Sequence, residues 1–324
     1  PPSSLLVSSL TPPFPLHSPH SCHTTHLSSH SLSPTYRIAV RGMASEKEIA
    51  ARIKSTTGIN KITKTMKMVA ASKMRGDEDR LKAGRPFQKW VDGFTPKPML
   101  LEDFAKQIDS LPQSNLLVVV TTDRGLCGGV NSSLARVLKN MVPALDKAKK
   151  DVQLFIIGDK GRATMGRPLG EFITQINSDS ATPYNFSLAA ALAQDVSQIK
   201  ADAVHVVFNR FRSAIAYEAT VKTLYPPAAL TGEPYVEYEF EPDTKTEVLD
   251  DMYEMAIATT VFTSMLESAA AEQSSRMNAM ENASKNGEDL IKELSIQYNR
   301  ARQSRITTEL VEIISGASAL EAAR

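Results

Sequence analysis

The apolar positions of the C-terminal third recur in alternating steps of four and three. The series starts at Val248, Met252, Met255 and Thr259 and continues through Phe262, Leu266 and Ala269. After Gln273 and Arg276 it resumes at Met280, Ala283, Gly287, Leu290, Leu294, Gln297 and Ala301. Eleven of these sixteen positions are apolar, over more than seven heptads. That spacing is the seam of a coiled coil rather than the stripe of an ordinary globular helix. No proline follows Pro242, so a single helix is predicted over 246–316, roughly 100 Å long at about 1.5 Å per residue. A domain of this size cannot bury such a rod along its whole length. It must project and meet partners.

A second helical pattern opens the chain proper. Ser45 is placed to cap a helix with Glu48 three residues on. Ile49, Ile53, Ile59, Ile62, Met66, Val69, Met74 and Leu81 follow at mostly helical spacing. Pro86, Gly93, Pro96 and Pro98 are expected to weaken the helix beyond that point. Two arms at opposite ends of the chain, each with a seam, predict one antiparallel coiled coil.

Between the arms the period changes. Short apolar runs at 116–120, 152–157, 171–176 and 203–208 read as buried strands, alternating with helical stretches at 133–149 and 187–199. That alternation predicts a small parallel or mostly parallel sheet with helices packed on it. The expected fold class is α/β, a long antiparallel coiled coil of N- and C-terminal helices beside a small Rossmann-like domain. The expected divisions are a leader at 1–44, an N-terminal coiled-coil helix at 45–105, an α/β domain at 106–240 and a C-terminal helix at 241–324.

Composition refines this picture. The 324 residues are 42% hydrophobic but only 6% aromatic, and eight of the 12 methionines lie in the helical patterns at 45–81 and 246–316. Such composition suits extended helix packing better than a deep ligand pocket. No run approaches the ~20 apolar residues that span a bilayer, so membrane association is expected only through partners. Residues 1–45 contain no acidic side chain, are rich in Ser, Pro and His, and carry Arg37 and Arg41 late. They read as an organelle transit peptide, with the mature chain starting between Ile38 and Ser45. Five of the six histidines fall between His17 and His30, and that clustering reads as leader composition rather than as a metal site.

Few residues invite chemistry. The stretch TTDRGLCGGVNSS at 121–133 is Gly-rich and lies after a strand and before a helix, where phosphates bind. It has neither GxGxxG nor GxxxxGK[ST] spacing, so close backbone packing between strand and helix is the expected reason for its glycines. Cys127 within it reads as a buried structural thiol. His205, the one histidine outside the leader, reads as a hydrogen-bonded strand residue. No catalytic residue, cofactor site or metal site is expected. Residues 49–76 carry seven basic side chains and no acidic one, a cationic face suited to an acidic partner. A net charge of +1 and the lack of interleaved aromatics argue against nucleic acid.

Longer blocks then carry a resemblance. KITKTMKMVAASKMR at 61–75, DRGLCGG at 123–129, NRFRS at 209–213, EQSSRMNAMENASKN at 272–286 and ITTELVEIISGASAL at 306–320 resemble, in order, the gamma subunits of F-type ATP synthases. The resemblance implies a central-stalk rotor that is not itself catalytic. Its arms would form an asymmetric shaft inside a ring of three alpha and three beta subunits, which hold the nucleotides. Its middle domain would contact delta and epsilon small subunits and the membrane c-ring. Proton-driven rotation would then carry each beta subunit through its conformers by differential contact. By the same resemblance, Met66 approaches an acidic loop of the beta subunits, with Lys61, Lys64 and Lys67 on the cationic face. Arg302, Gln303, Thr307 and Glu309 match contacts with the beta subunits' catch loops, whereas Arg305 departs from the small residue expected there. The regulatory dithiol insert of chloroplast members is absent. That implies a mitochondrial enzyme, peripheral on the matrix side of the inner membrane. A coiled-coil scaffold without a motor role and a nucleotide site in the Gly-rich loop are the competing readings.

Overall fold

A computed structural model describes residues 45–227 and 245–323. The leader expected at 1–44, with Cys22 and its histidines, lies outside the described residues.

Helix α1 (Glu46–Phe94) begins as its sequence requires. The Ser45 hydroxyl accepts from the Glu48 amide at 3.3 Å, and Glu46 and Glu48 sit in the first turn, where the positive end of the helix dipole favours them. The helix then continues through Pro86. A proline there removes the bond to the Lys82 carbonyl, but Lys82 and Pro86 both lie on an exposed stretch. Leu81 and Val91, buried on either side, anchor the helix before and after it.

The middle of the chain forms β1 (Met99–Leu100), α2 (Leu101–Phe104), β2 (Ser114–Val120), α3 (Val130–Lys147), β3 (Asp151–Ile157) and α4 (Asp159–Met165). It continues with β4 (Ile173–Asn177), α5 (Phe186–Ser197), β5 (Ala203–Ser213) and β6 (Ala216–Leu224), before α6 (Lys245–Ala322). The sheet order is β1-β6-β5-β2-β3-β4. The four expected strands are present and mutually parallel, β2 lying between β3 and β5 and β4 following β3. β6 and β1 were not expected, and they join antiparallel, making the sheet mixed. β6 hides its strand pattern because Glu218 and Lys222 break the apolar run, and Lys222 is buried only by virtue of an ion pair with Asp92 of α1.

Alternation along β2 sorts the core. Leu116, Val118 and Val120 pack toward α5 and α6, meeting Ala189, Val196, Ile257, Val261 and Met265. Leu117 and Val119 point the other way, toward Leu134, Leu138 and Met141 of α3. The sheet is therefore covered on both faces, as its parallel strands demand. α6 belongs to this core as well as to the shaft, so the stretch from Ala256 to Arg276 is buried almost all round.

Beyond the core, α1 and α6 run antiparallel as one rod. Gln88 meets Thr260, Arg85 meets Glu267, Lys67 meets Glu281, Thr63 meets Ser284 and Glu46 meets Arg305. Each step back along α1 is matched by a similar step forward along α6, so the antiparallel register is kept along the rod. Met280 and Leu294 are seam residues as expected, but Ser284 is buried in place of Ala283, and Leu290 is exposed. On α1 the seam holds Asn60, Thr63 and Ala70, leaving Ile59, Ile62 and Val69 turned out and more than half exposed. Small and polar side chains let the two backbones approach closely. The Thr63 and Ser284 hydroxyls are 2.8 Å apart, and a Cβ on Gly287 would stand 3.6 Å from the Asn60 side chain.

Candidate partner-binding surface

The basic stretch of α1 lies against an acidic stretch of the chain's own second arm. Lys64 Nζ is 2.6 Å from Glu288 and Lys67 Nζ is 3.2 Å from Glu281. Hydrogen bonding and charge from these lysines hold both carboxyls below the usual carboxylate range. The cationic face is thus partly neutralised from within. Lys61 stays exposed, with no ion pair among the described residues, and Met66 is half-buried beside it. The two acidic partners were not legible in sequence, because they lie more than two hundred residues away from the lysines they meet.

Arg302, Gln303, Thr307 and Glu309 occupy the far end of α6, all exposed. They are separated from the lysine group by about 20 Å or more along the helix, so the structure does not gather the two groups into one site. Thr307 returns its hydroxyl to the Gln303 carbonyl at 3.0 Å. Arg305 links the two arms. Its guanidinium is 3.1 Å from Glu46 at the start of α1 and 3.7 Å from Glu309 one turn on. The unexpected arginine therefore closes the rod where α1 begins.

From Ile306 to Ala322 α6 continues without α1 beside it, every described residue exposed. Ile306, Leu310, Val311, Ile313, Ile314 and Leu320 are all on view, an apolar display that a free surface does not favour. The outward Ile59, Ile62, Met68 and Val69 of α1 add to it. No contact is expected of these residues from the sequence. The available signal was that apolar residues persist after the seam series stops at Ala301, with no facing arm left to cover them.

The Gly-rich loop is packed, although against α6 rather than between its own strand and helix. Ser275 donates to the Cys127 carbonyl at 2.7 Å and Arg276 to the Gly125 carbonyl at 3.2 Å. Gly128 has a φ of 60°, and a Cβ there would come within 2.8 Å of the Ser275 hydroxyl. Asp123 fixes the loop's other side, accepting from the amides of Asp159, Asp179 and Ser180. Cys127 is buried beside Thr122 and Asn131. His205 is fully buried, its ring nitrogens 2.9 Å from the Thr223 hydroxyl and 3.1 Å from the Asn115 side-chain oxygen. Burial lowers its pKa to about 4, which suits a neutral structural imidazole.

Among the described residues, then, the surface offers helix faces. Their arrangement defines a helical-stalk protein: a two-helix rod rooted in an α/β foot, with one helix tip left bare for contact. Comparison with known proteins gives the family. The family model described as ATP synthase matches residues 45–320. The mitochondrial ATP synthase subunit gamma of Drosophila melanogaster is 38% identical over 284 residues, covering 86% of this chain and 92% of that one. The ATP synthase gamma chain of Fuscovulum blasticum is 37% identical, covering 86% of this chain and all of that one. A chain of the central stalk and c-ring of the Tetrahymena thermophila mitochondrial ATP synthase is 34% identical. It superimposes with a TM-score of 0.56 over 69% of this chain and 99% of that one. A chain of the Euglena gracilis mitochondrial enzyme, at 21% identity and a TM-score of 0.69, shares the fold. This chain belongs to the gamma-chain family of ATP synthase.

Proposed function

We propose that this chain is the rotating central shaft of a mitochondrial, proton-driven ATP synthase and carries out no chemistry of its own. The observation that supports this most is the bare apolar end of α6 on an antiparallel rod, in a chain whose residues 45–320 match the ATP synthase family model. On this reading the rod stands inside a ring of three alpha and three beta subunits. The foot, which takes in Met99–Leu100 of the sheet edge, meets delta and epsilon small subunits and the c-ring. The chain is held on the matrix side of the inner membrane by those partners. Among the described residues no helix is long and apolar enough to cross a membrane.

The beta-subunit contacts belong to two levels of the shaft. Lys61, Lys64, Lys67 and Met66 meet an acidic loop partway along it, and Arg302, Gln303, Thr307 and Glu309 meet catch loops near its tip. Lys61 is the cation most available at the lower level, since Lys64 and Lys67 already have carboxylate partners. Because the rod is asymmetric, each orientation favours a different beta conformer, and differential contact of this kind is what coupling between sites requires. Affinity purification of the tagged chain from mitochondria tests the assignment. Alpha and beta subunits should co-purify at three copies each per chain. Recovery of the chain without them, or with a coiled-coil assembly lacking them, refutes it.

A further inference from the structure

A cavity of about 190 Å³ lies where the shaft meets the foot, between α1, α6 and the β5–β6 end of the sheet. Its lining includes three cations, Arg85, Arg210 and Lys222, and two carboxylates, Asp92 and Glu267. Both carboxylates are already engaged. Glu267 accepts from Arg85 Nε at 3.2 Å and from the Phe211 amide at 2.8 Å. Asp92 accepts from Lys222 Nζ at 2.6 Å and from Gln88 at 3.4 Å.

Two sets of donors remain. Arg210 is half-buried and makes no hydrogen bond or ion pair with any described residue, although its guanidinium carries five N–H donors. The Lys222 side chain is 2% exposed and its ammonium uses one of three donors, on Asp92. Lys222 is buried and Arg210 partly open to solvent, and both line the cavity, where their unused donors favour an acceptor. The charge balance asks for the same thing, since the lining carries one positive charge in excess. The volume is below the roughly 300–1,000 Å³ of pockets that hold drug-sized molecules. It admits a small inorganic anion and not a nucleotide.

We propose that this cavity binds a small oxyanion of the phosphate class, held by Arg210 and Lys222 at the root of the shaft. The bound anion would bridge β5 and β6 beside α1 and α6, and so stiffen the junction through which torque passes. The site is separate from the beta-subunit contacts and does not depend on them.

Titration of the full chain with inorganic phosphate tests this, read by calorimetry and by phosphorus-31 line broadening, with chloride holding the ionic strength constant. One saturable site per chain is expected, with sulfate competing. Arg210→Gln should weaken binding about tenfold or more, the loss of a charge-assisted hydrogen bond, and Arg210→Lys should weaken it less. Lys222→Met risks the fold, so the arginine variants carry the test, with circular dichroism confirming that they remain native. Absence of saturable binding to the wild-type chain overturns the proposal. So does an affinity unchanged by Arg210→Gln, which would place the anion elsewhere.

Discussion

Replacing Glu267 by alanine should loosen the root of the shaft, because this one side chain joins α6 to both α1 and β5. It is 7% exposed. The Phe211 amide donates to it at 2.8 Å, next to the register shift between Phe211 and Ser213 in the pairing of β5 with β6. In Glu267→Ala that amide loses its acceptor, and a hydrogen bond to a charged group contributes about 1.5–3 kcal/mol. The Arg85 partner adds less. Its side chain is 49% exposed, so solvent and salt screen the attraction to about 0–1 kcal/mol. The expected total is about 1.5–4 kcal/mol, most of it belonging to Phe211. Urea denaturation of the full chain, followed by circular dichroism, measures it. Arg85→Ala should cost under about 1 kcal/mol, and Glu267→Gln, which keeps a neutral acceptor, should fall between the two. The reasoning fails if Glu267→Ala lies within about 0.5 kcal/mol of wild type, the usual range for an inert surface change. It fails equally if Arg85→Ala costs as much as Glu267→Ala.

Four further outcomes are expected. In the assembled enzyme, Arg302→Ala with Gln303→Ala should slow ATP synthesis and hydrolysis several-fold while nucleotide affinity at the first site stays near normal; full turnover would remove these residues from the catch. Lys61→Glu should lower proton pumping per ATP without loosening the rod, whereas Lys64→Glu and Lys67→Glu should also speed amide exchange in α1, because each sets a like charge against Glu288 or Glu281. Those two carboxyls are lowered in the folded chain, so their support is present above the unfolded glutamate value of about 4.3 and is lost as pH falls through the lower folded one. Exchange near Thr63 and Ser284, corrected for intrinsic rates, should therefore rise in acid, and a flat profile would contradict this. Lys150 donates to the carbonyls of Ile108, Asp109 and Leu111 at 2.6, 3.0 and 2.6 Å. Lys150→Met should destabilise the foot by about 1–3 kcal/mol in urea melts.

What could be read from the sequence was whatever local chemistry decides. The Ser45 cap, the proline-free length of α6, the doubly buried run of β2 and the quiet role of His205 all follow from residues close together in the chain. Register did not. Ile59, Ile62 and Val69 fit a helical stripe as well as their neighbours do, yet close approach of two backbones selects Asn60, Thr63 and Ala70 for the seam. Pro86 reads as a helix breaker until α6 and the sheet supply packing on both sides of it. β6 could be recognised only with Asp92 in place to neutralise Lys222. The candidate contact residues came from long family blocks and not from geometry, and no local pattern could reveal that Lys64, Lys67 and Arg305 have partners on the opposite arm.

Rotation of the shaft is the claim on which the rest depends, and it can be watched directly. Ile215, 81% exposed on the turn between β5 and β6, can be changed to cysteine to carry a bead, with Cys22 changed to serine, since Cys127 is buried. The complex of this chain with alpha and beta subunits would be fixed to glass by the beta subunits and supplied with ATP. The account predicts that the bead turns in steps and in one direction while ATP is hydrolysed. Hydrolysis at a normal rate with a bead that does not turn would contradict it.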